Sequence, residues 1–344
     1  MKQKFERMTE MELGVHDLVT LNKVETPEAG YERTKKFVKE IESMNYKRYW
    51  FAEHHNSKVH ASSSPELMAA YMSAITNKLR LGTGGTMIMH YSPLKIAENF
   101  KTLTTLASDR IDLGLGRAPG GSPNDILALA QGQPNTFDDQ YDKIKIILNY
   151  LLNEKAPSFY GNTTAIPHNT RSLPQPWLLG SSGQSAMKSA EMGLGYSFAK
   201  FFGIDTDPGV FQLYRDHFKP SPFFEQPAVM VSYQIIVADS TEEANYLAKP
   251  IELAQVGLAN GRLIENMDPE EVKDDELSPR AQAFLDNYYE KRFLIKGTPA
   301  HVQNILEEEQ ELLGIDELMI YAPVFDQEAR IHSYKQIAKM FDKI

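Results

Sequence analysis

The sequence predicts an α/β fold, a (β/α)8 TIM barrel with insertions, on three observations. Eight short apolar runs of β-favouring character are each followed by a segment whose apolar residues recur at helical spacing. The first four runs start about 30 residues apart, the length of one strand–helix unit, and four consecutive units favour a parallel sheet. Several runs stop abruptly at glycines or ionisable side chains, as parallel strands do where their carboxyl ends carry a site. The alternative, a doubly wound sheet, calls for a glycine fingerprint in the first strand–helix turn, and His16-Asp17-Leu18 has no glycine. The length of 344 residues exceeds an ordinary domain of ~150, but α/β barrels of about 250 residues or more count as one. The expectation is a single barrel domain over 1–344, with insertions near 118–135, 154–176 and 260–296.

Taken in order, Leu13 to Val19 is the first strand. Pro27 and Glu28 open a helix to about Met44, with Phe37, Val38 and Ile41 on its apolar face. Arg48-Tyr49-Trp50-Phe51-Ala52 is the second strand, and it stops at Glu53-His54-His55-Asn56. Ser62 to Glu66 is a helix start, with Pro65 near the first turn, and the helix carries Leu67 to Thr76. Leu79 to Ile88 is the third strand, and a helix runs from Pro93 to about Ser108. Ile111 to Arg117 is the fourth strand; it repeats the third's pattern of alternating apolar residues followed by glycines. A Gly/Pro-rich loop (118–134), an amphipathic helix (about 137–153) and an irregular stretch (157–176) follow. Trp177 to Ser182 is strand five, Ser185 to Met192 its helix, and Gly195 to Phe201 strand six. Val229 to Val237 is strand seven, with a long helix from Thr241 whose Thr-Glu-Glu start suits the helix dipole. Residues 265–276 hold seven acidic residues and one lysine, which reads as a solvated loop or as a lid near the pocket. Thr298-Pro299 opens another helix, Glu317 to Ala322 is strand eight, and a closing helix starts at Gln327.

Composition narrows the chemistry. With 42% hydrophobic residues the chain builds a large core. A net charge of −10 argues against a nucleic-acid or anionic-membrane partner. The absence of cysteine removes thiol nucleophiles, thiolate metal sites, iron–sulfur clusters and disulfides. The first seven residues carry no apolar signal region, and no run of about 18 apolar residues occurs, so a cytoplasmic protein is expected.

The strand ends supply the candidate site residues. Gly84-Gly85 after strand three is either a tight strand exit or a place where backbone lies flat against a ligand. Arg117 after strand four can clamp a phosphate or join a salt bridge. Gly180-Ser181-Ser182-Gly183-Gln184-Ser185 opens a helix, and its free N–H groups and hydroxyls make an anion site or an ordinary cap. His54 and His55 are neighbours, so at most one faces the pocket, as a proton-transfer group or a structural imidazole. A metal is disfavoured, because His60 and His90 follow no ligand spacing and no His-Glu-x-x-His occurs. Lys200 after strand six raises a Schiff-base lyase as a separate, less favoured reading. Asp112 precedes its strand's core and belongs to the barrel's other end or to a salt bridge. As a set, the ends suit a flat, phosphorylated cofactor.

Several of these stretches resemble the bacterial luciferase-like flavin monooxygenases: Trp50 to Asn56, Leu81 to Gly85, Pro93 with Ala97-Glu98, Arg110 to Gly120, and Gly180 to Phe202. Order and spacing agree over nearly the whole chain, and Gly-Arg-Ala-Pro-Gly after strand four is similar to single-chain, uncharacterised members. The resemblance implies a usually dimeric (β/α)8 barrel that binds FMN, or reduced FMN as cosubstrate, at the strand ends. It implies a non-prolyl cis peptide at Gly84-Gly85, a phosphate-binding Arg117, a phosphate loop at Gly180, Ser181, Ser182, Gly183 and Ser185, and a catalytic His54. Bacterial luciferase has a reactive cysteine where Gly116 stands here and pairs two different subunits, so light emission is not implied. Related proteins use a deazaflavin coenzyme, so that choice stays open. The function expected is oxygenation of a small organic substrate, such as an aldehyde, by O2 and reduced FMN from a separate flavin reductase, in a homodimer. A non-catalytic flavin-binding relative and a deazaflavin-dependent oxidoreductase are the rivals.

Overall fold

The computed structural model describes residues 11–133, 140–155, 157, 160–273 and 278–344. Among them are nine strands: β1 (Glu12–Asp17), β2 (Arg48–Phe51), β3 (Arg80–Met87), β4 (Ile111–Gly116), β5 (Gln175–Leu179), β6 (Gly195–Ala199), β7 (Val229–Val237), β8 (Leu294–Gly297) and β9 (Glu317–Tyr321). The helices are α1 (Pro27–Ser43), α2 (Pro65–Ser73), α3 (Pro93–Leu106), α4 (Pro123–Leu129), α5 (Gln140–Leu151), α6 (Gly183–Glu191), α7 (Gly209–His217), α8 (Thr241–Ala259), α9 (Pro279–Glu290), α10 (Pro299–Leu313) and α11 (Gln327–Met340). Six of these helices begin on proline, α1, α2, α3, α4, α9 and α10. Proline presets the helical φ and lacks the N–H that a first turn leaves unpaired.

Strands β1 to β7 pair in chain order, β9 pairs with both β7 and β1, and every ladder is parallel, so eight strands close into a barrel. These are the eight strands the sequence predicts. The ninth, β8, is additional. Gln234 is in register with Tyr321 of β9 and with Leu294 of β8, so β8 lies on the side of β7 opposite β9. It takes over there where β6 stops pairing at Ser232. Helix α4 falls in the stretch the sequence reading takes as a loop, and α7 and α9 in stretches it leaves unassigned; α4 buries none of its residues, so it has no apolar stripe to detect.

Strand alternation sorts the side chains. Leu13, Val15, Tyr49, Phe51, Leu81, Leu113, Leu178, Val231 and Ile320 face outward into the main core beneath the helices. Inside the barrel, Trp50, Trp177, Met230 and Met319 pack with Phe224. Below them Arg48, fully buried, donates to Asp112 at 2.5 Å and to Glu317 at 2.6 Å. Burial pushes the Asp112 carboxyl up, but Arg48 and Arg80 outweigh it and hold the group below the ordinary aspartate range. Asp112 therefore closes the end of the barrel away from the site and does so in a salt bridge, so both readings its sequence context offers hold together. The aromatic layer and the ion pairs plug the barrel and leave the carboxyl ends of the strands as the place for chemistry.

Candidate active site

Arg117 leaves the end of β4 and is half-buried. Its guanidinium carbon lies 4.5 Å from the Tyr141 ring centroid on α5, and its Nε is buried without a hydrogen-bond partner. A Cβ on Gly180 would lie 3.7 Å from Arg117 Nη2. The arginine and the loop after β5 thus share one space, although 63 positions separate Gly180 from Arg117 (180 − 117). Ser182 caps α6: its Oγ accepts from Ser185 N at 3.3 Å, and Ser182 N donates to Ser185 Oγ at 3.1 Å. Ser185 is buried and its hydroxyl also sits 3.3 Å from the Tyr196 hydroxyl, so it shapes the loop from behind. Ser181, Ser182 and Gly183 form the accessible face, where first-turn N–H groups have no carbonyl one turn earlier to bind. A guanidinium beside a helix N-terminus is an anion cradle.

The floor between this cradle and β1 is made of glycine. The Gly84-Gly85 peptide is cis, at the position the resemblance implies. Both residues are buried. A Cβ on Gly84 would lie 3.0 Å from Trp50 Cε3 and 3.4 Å from His16 Nε2. One on Gly85 would lie 2.9 Å from Gly114 O and from Gly116 N. Only glycine fits at Gly85, because the obstruction is backbone that cannot rotate away.

After β2 the chain turns, and the two histidines part. His55 donates from Nε2 to Glu53 Oε1 at 2.8 Å. Glu53 is fully buried and also accepts from Tyr91 OH at 2.7 Å and from Met87 N at 2.8 Å. His55 and Glu53 therefore tie the β2 loop to the end of β3. His54 is not in that network; its Nδ1 is buried without a partner, and its ring centroid is 5.0 Å from that of His60. Burial, then the neighbouring His55, lowers the His54 pKa below its ordinary value, so the ring is neutral at pH 7 and able to accept a proton.

Two further imidazoles stand at the same end. His16, the second-last residue of β1, is lowered to about 4, by burial first and by His54 second. His60 is lowered to about 4 for the same two reasons, and its Nδ1 lies 3.3 Å from Thr20 Oγ1, which is 3.4 Å from the Tyr321 hydroxyl. Sequence reasoning missed His16, Tyr141, Tyr321 and Gln234. His16 had a signal, an ionisable residue closing a strand as in β2; Gln234 had a weaker one, a lone amide in an apolar run; the two tyrosines had none. Lys200 stands apart: its Nζ is 2.6 Å from Glu309 Oε2 on α10, outside the barrel, with Tyr233 between the layers. Burial lowers its pKa, opposed by Glu309, and its amine is engaged in an ion pair rather than presented to the mouth. The acidic stretch 265–276 is strapped to the β1–α1 loop through Asn266 Nδ2 to Asn22 Oδ1 at 2.8 Å and a Glu271–Lys23 ion pair; its residues 274–276 lie outside the described ones. Among the described residues no group of three or more His, Asp or Glu is arranged to hold a metal, and no helix is long and apolar enough to cross a membrane.

Comparison with known proteins places the chain among relatives. The N-acetyl-S-alkylcysteine monooxygenase of Bacillus subtilis (strain 168) is 30% identical over 95% of this chain and 97% of its own. The crystal structure of apo-MsnO8 superposes with a TM-score of 0.85 at 26% identity, covering 98% of this chain and 99% of that one. The oxygenating constituent of 3,6-diketocamphane monooxygenase from Pseudomonas putida, solved with FMN, superposes with a TM-score of 0.70 at 15% identity over 96% of this chain and 98% of that one, a likeness of fold. The sequence model of the luciferase-like monooxygenases matches residues 11–317, and on that match the chain belongs to the luciferase-like monooxygenase family.

Proposed function

We propose that the protein is a flavin-dependent monooxygenase that uses reduced FMN and O2 to oxygenate a small organic substrate, such as an aldehyde. The observation that carries the reading is the join of Arg117 to the Gly180–Ser185 loop around a space lined by a guanidinium, hydroxyls and a helix N-terminus. The unpartnered Arg117 Nε fits a phosphate, and the buried cis Gly84-Gly85 peptide, bare of side chains, fits a flat ring lying against backbone. When bound, reduced flavin supplies the electrons that activate O2.

The chain's own residues then do four things. Arg117, Gly180, Ser181, Ser182 and Gly183 hold the phosphate, with Ser185 fixing the loop. Gly84 and Gly85 let the ring lie against backbone. His54, neutral and with a free Nδ1, takes and returns a proton at the reacting centre. The barrel walls and the stretch near Asn266 keep bulk water from the ring. Leu67 and Tyr71, exposed one turn apart on α2, are apolar surface that a second copy would cover in a homodimer. A separate flavin reductase delivers the cofactor.

The test is a visible-absorbance titration of the protein with oxidised FMN and with the deazaflavin coenzyme. Oxygen uptake and product analysis follow, with reduced FMN and panels of aldehydes and heteroaromatics. Saturable FMN binding with a stoichiometric oxygenated product is expected. Preference for the deazaflavin, or flavin binding with no oxygenated product from either panel, overturns the proposal.

A further inference from the structure

The phosphate cradle occupies the β4–β5 side of the barrel mouth. The opposite side, made by β1, β9 and β7, carries polar groups that the proposed function leaves unused. Gln234 is 1% exposed, and neither its amide oxygen nor its amide nitrogen has a hydrogen-bond partner. Alternation along β7 places it inside: Met230, two alternations earlier, packs with Trp50 and Met319 in the barrel interior, whereas Tyr233 donates outward to Glu309. In register beside it on β9 is Tyr321, whose ring centroid is 6.5 Å from that of His16 on β1. His16 is 5% exposed, its Nε2 makes no well-aligned hydrogen bond although the Gly84 backbone lies close enough to raise its pKa, and its ring meets Phe201 edge-on at 5.4 Å. A buried amide with neither atom partnered is costly, and leucine or methionine would fill the same volume without that cost.

The charge around this half is closed off. Arg48 is paired with Asp112 and Glu317, Arg330 with Asp17, and Lys200 with Glu309. His16 itself is uncharged at neutral pH. No cation of these strands remains to balance an anionic ligand here, and the rest of the wall is Leu18, Ala52, Phe201 and Tyr321. We propose that Gln234 and His16 form a recognition subsite for a neutral planar group offering a hydrogen-bond donor beside an acceptor, a carboxamide or a cyclic imide. A primary amide pairs with such a group through two antiparallel hydrogen bonds, one for each unpartnered Gln234 atom. The group comes either from the substrate or from the imide edge of the flavin; only the second source rests on the flavin reading.

The experiment separates the sources. Binding of FMN and of N3-methyl-FMN is measured by fluorescence quenching in the wild type and in Gln234→Leu and His16→Leu. Binding of benzamide and benzoate to the FMN-saturated proteins is measured by ligand-observed NMR. An imide from the flavin gives at least tenfold weaker binding of N3-methyl-FMN than of FMN in the wild type, a difference that Gln234→Leu abolishes. A substrate carboxamide gives equal binding of the two flavins, with saturable benzamide binding that Gln234→Leu weakens at least tenfold and benzoate that does not bind. Flavin and benzamide affinities all within twofold across methylation and across both variants overturn the subsite, as does benzoate binding as tightly as benzamide. The wild-type comparisons decide even if a variant does not fold. If the wild type binds no flavin, the same benzamide titration is run without it, so that the flavin reading fails alone. A higher melting temperature for Gln234→Leu than for the wild type is the further expected sign of an amide kept for binding rather than stability.

Discussion

At the scale of single residues, the candidate site divides into groups with hydrogen bonds to spare and groups without. His54 and His55 are adjacent, yet His55 is committed to Glu53 while His54 Nδ1 has no partner. Replacing His54 by alanine is therefore expected to leave FMN affinity within about twofold and to cut turnover about 10²-fold or more, read from a flavin titration and steady-state kinetics. Because burial lowers the His54 pKa, wild-type activity is expected to stay flat as the pH falls past the ordinary histidine value, then drop as the ring protonates. Arg117→Ala is expected to weaken FMN by ~1.5–3 kcal/mol, the worth of a hydrogen bond to a charged group. Riboflavin, which lacks the phosphate, is to bind both forms alike; an equal loss for riboflavin would place Arg117 elsewhere. Both residues were legible from the sequence as polar groups at strand ends. Which nitrogen each keeps free was not, because that depends on partners supplied by distant loops.

At the scale of elements, β3 and β4 are coupled through glycine. A Cβ on Gly85 meets β4 backbone at 2.9 Å. Gly85→Val is expected to shift the two strand ends apart and destabilise the fold by about 1–3 kcal/mol through overpacking, seen as a lower denaturant midpoint, with FMN affinity reduced in whatever fraction folds. Normal stability with normal flavin affinity would refute the tight floor. The eight barrel strands were legible because parallel strands buried on both faces read as continuous apolar runs. β8 was not: it is four residues long, contains Lys296, and sits in a segment that composition marks as an insertion. Its pairing depends on β6 stopping early, a fact written nowhere near residue 294. Lys200 teaches the same lesson. It follows β6 directly, but a turn of 3-10 helix over Lys200–Phe202 sends its amine to Glu309 on α10.

At the scale of the molecule, buried titratable groups set the pH range of stability. His16 and His60 are both lowered from 6.5 to about 4. Between those values the unfolded chain binds protons that the folded chain refuses, so stability is full above pH 6.5 and falls as the pH drops toward 4. For His16 the difference of 2.5 (6.5 − 4) corresponds to on the order of 3 kcal/mol. Asp17 and Asp112, held below the ordinary value of 3.8 because their arginines outweigh burial, lose their contribution only at lower pH still. Calorimetric melting of the wild type is expected to show the first fall between pH 6.5 and 4, and His16→Leu a shallower one; identical slopes would mean His16 is not buried neutral.

By itself the sequence determined the barrel. Apolar periodicity, proline helix starts and strand ends rich in glycine and ionisable groups are local signals of parallel strand–helix units, and the missing glycine fingerprint after the first strand favours closure over a doubly wound sheet. It also singled out His54, Gly84, Gly85, Arg117 and the 180–185 loop, since each carries its chemistry in its own type and its place at a strand end. Only the tertiary structure decided what each of them faces. Closure brings Arg117 beside Gly180, turns His55 to Glu53 and Lys200 to Glu309, and gathers His16, Tyr321 and Gln234 from three strands on the opposite wall. The physical reason is that a hydrogen-bond partner is set by distance in space, and barrel closure makes neighbours of residues that no spacing along the chain relates.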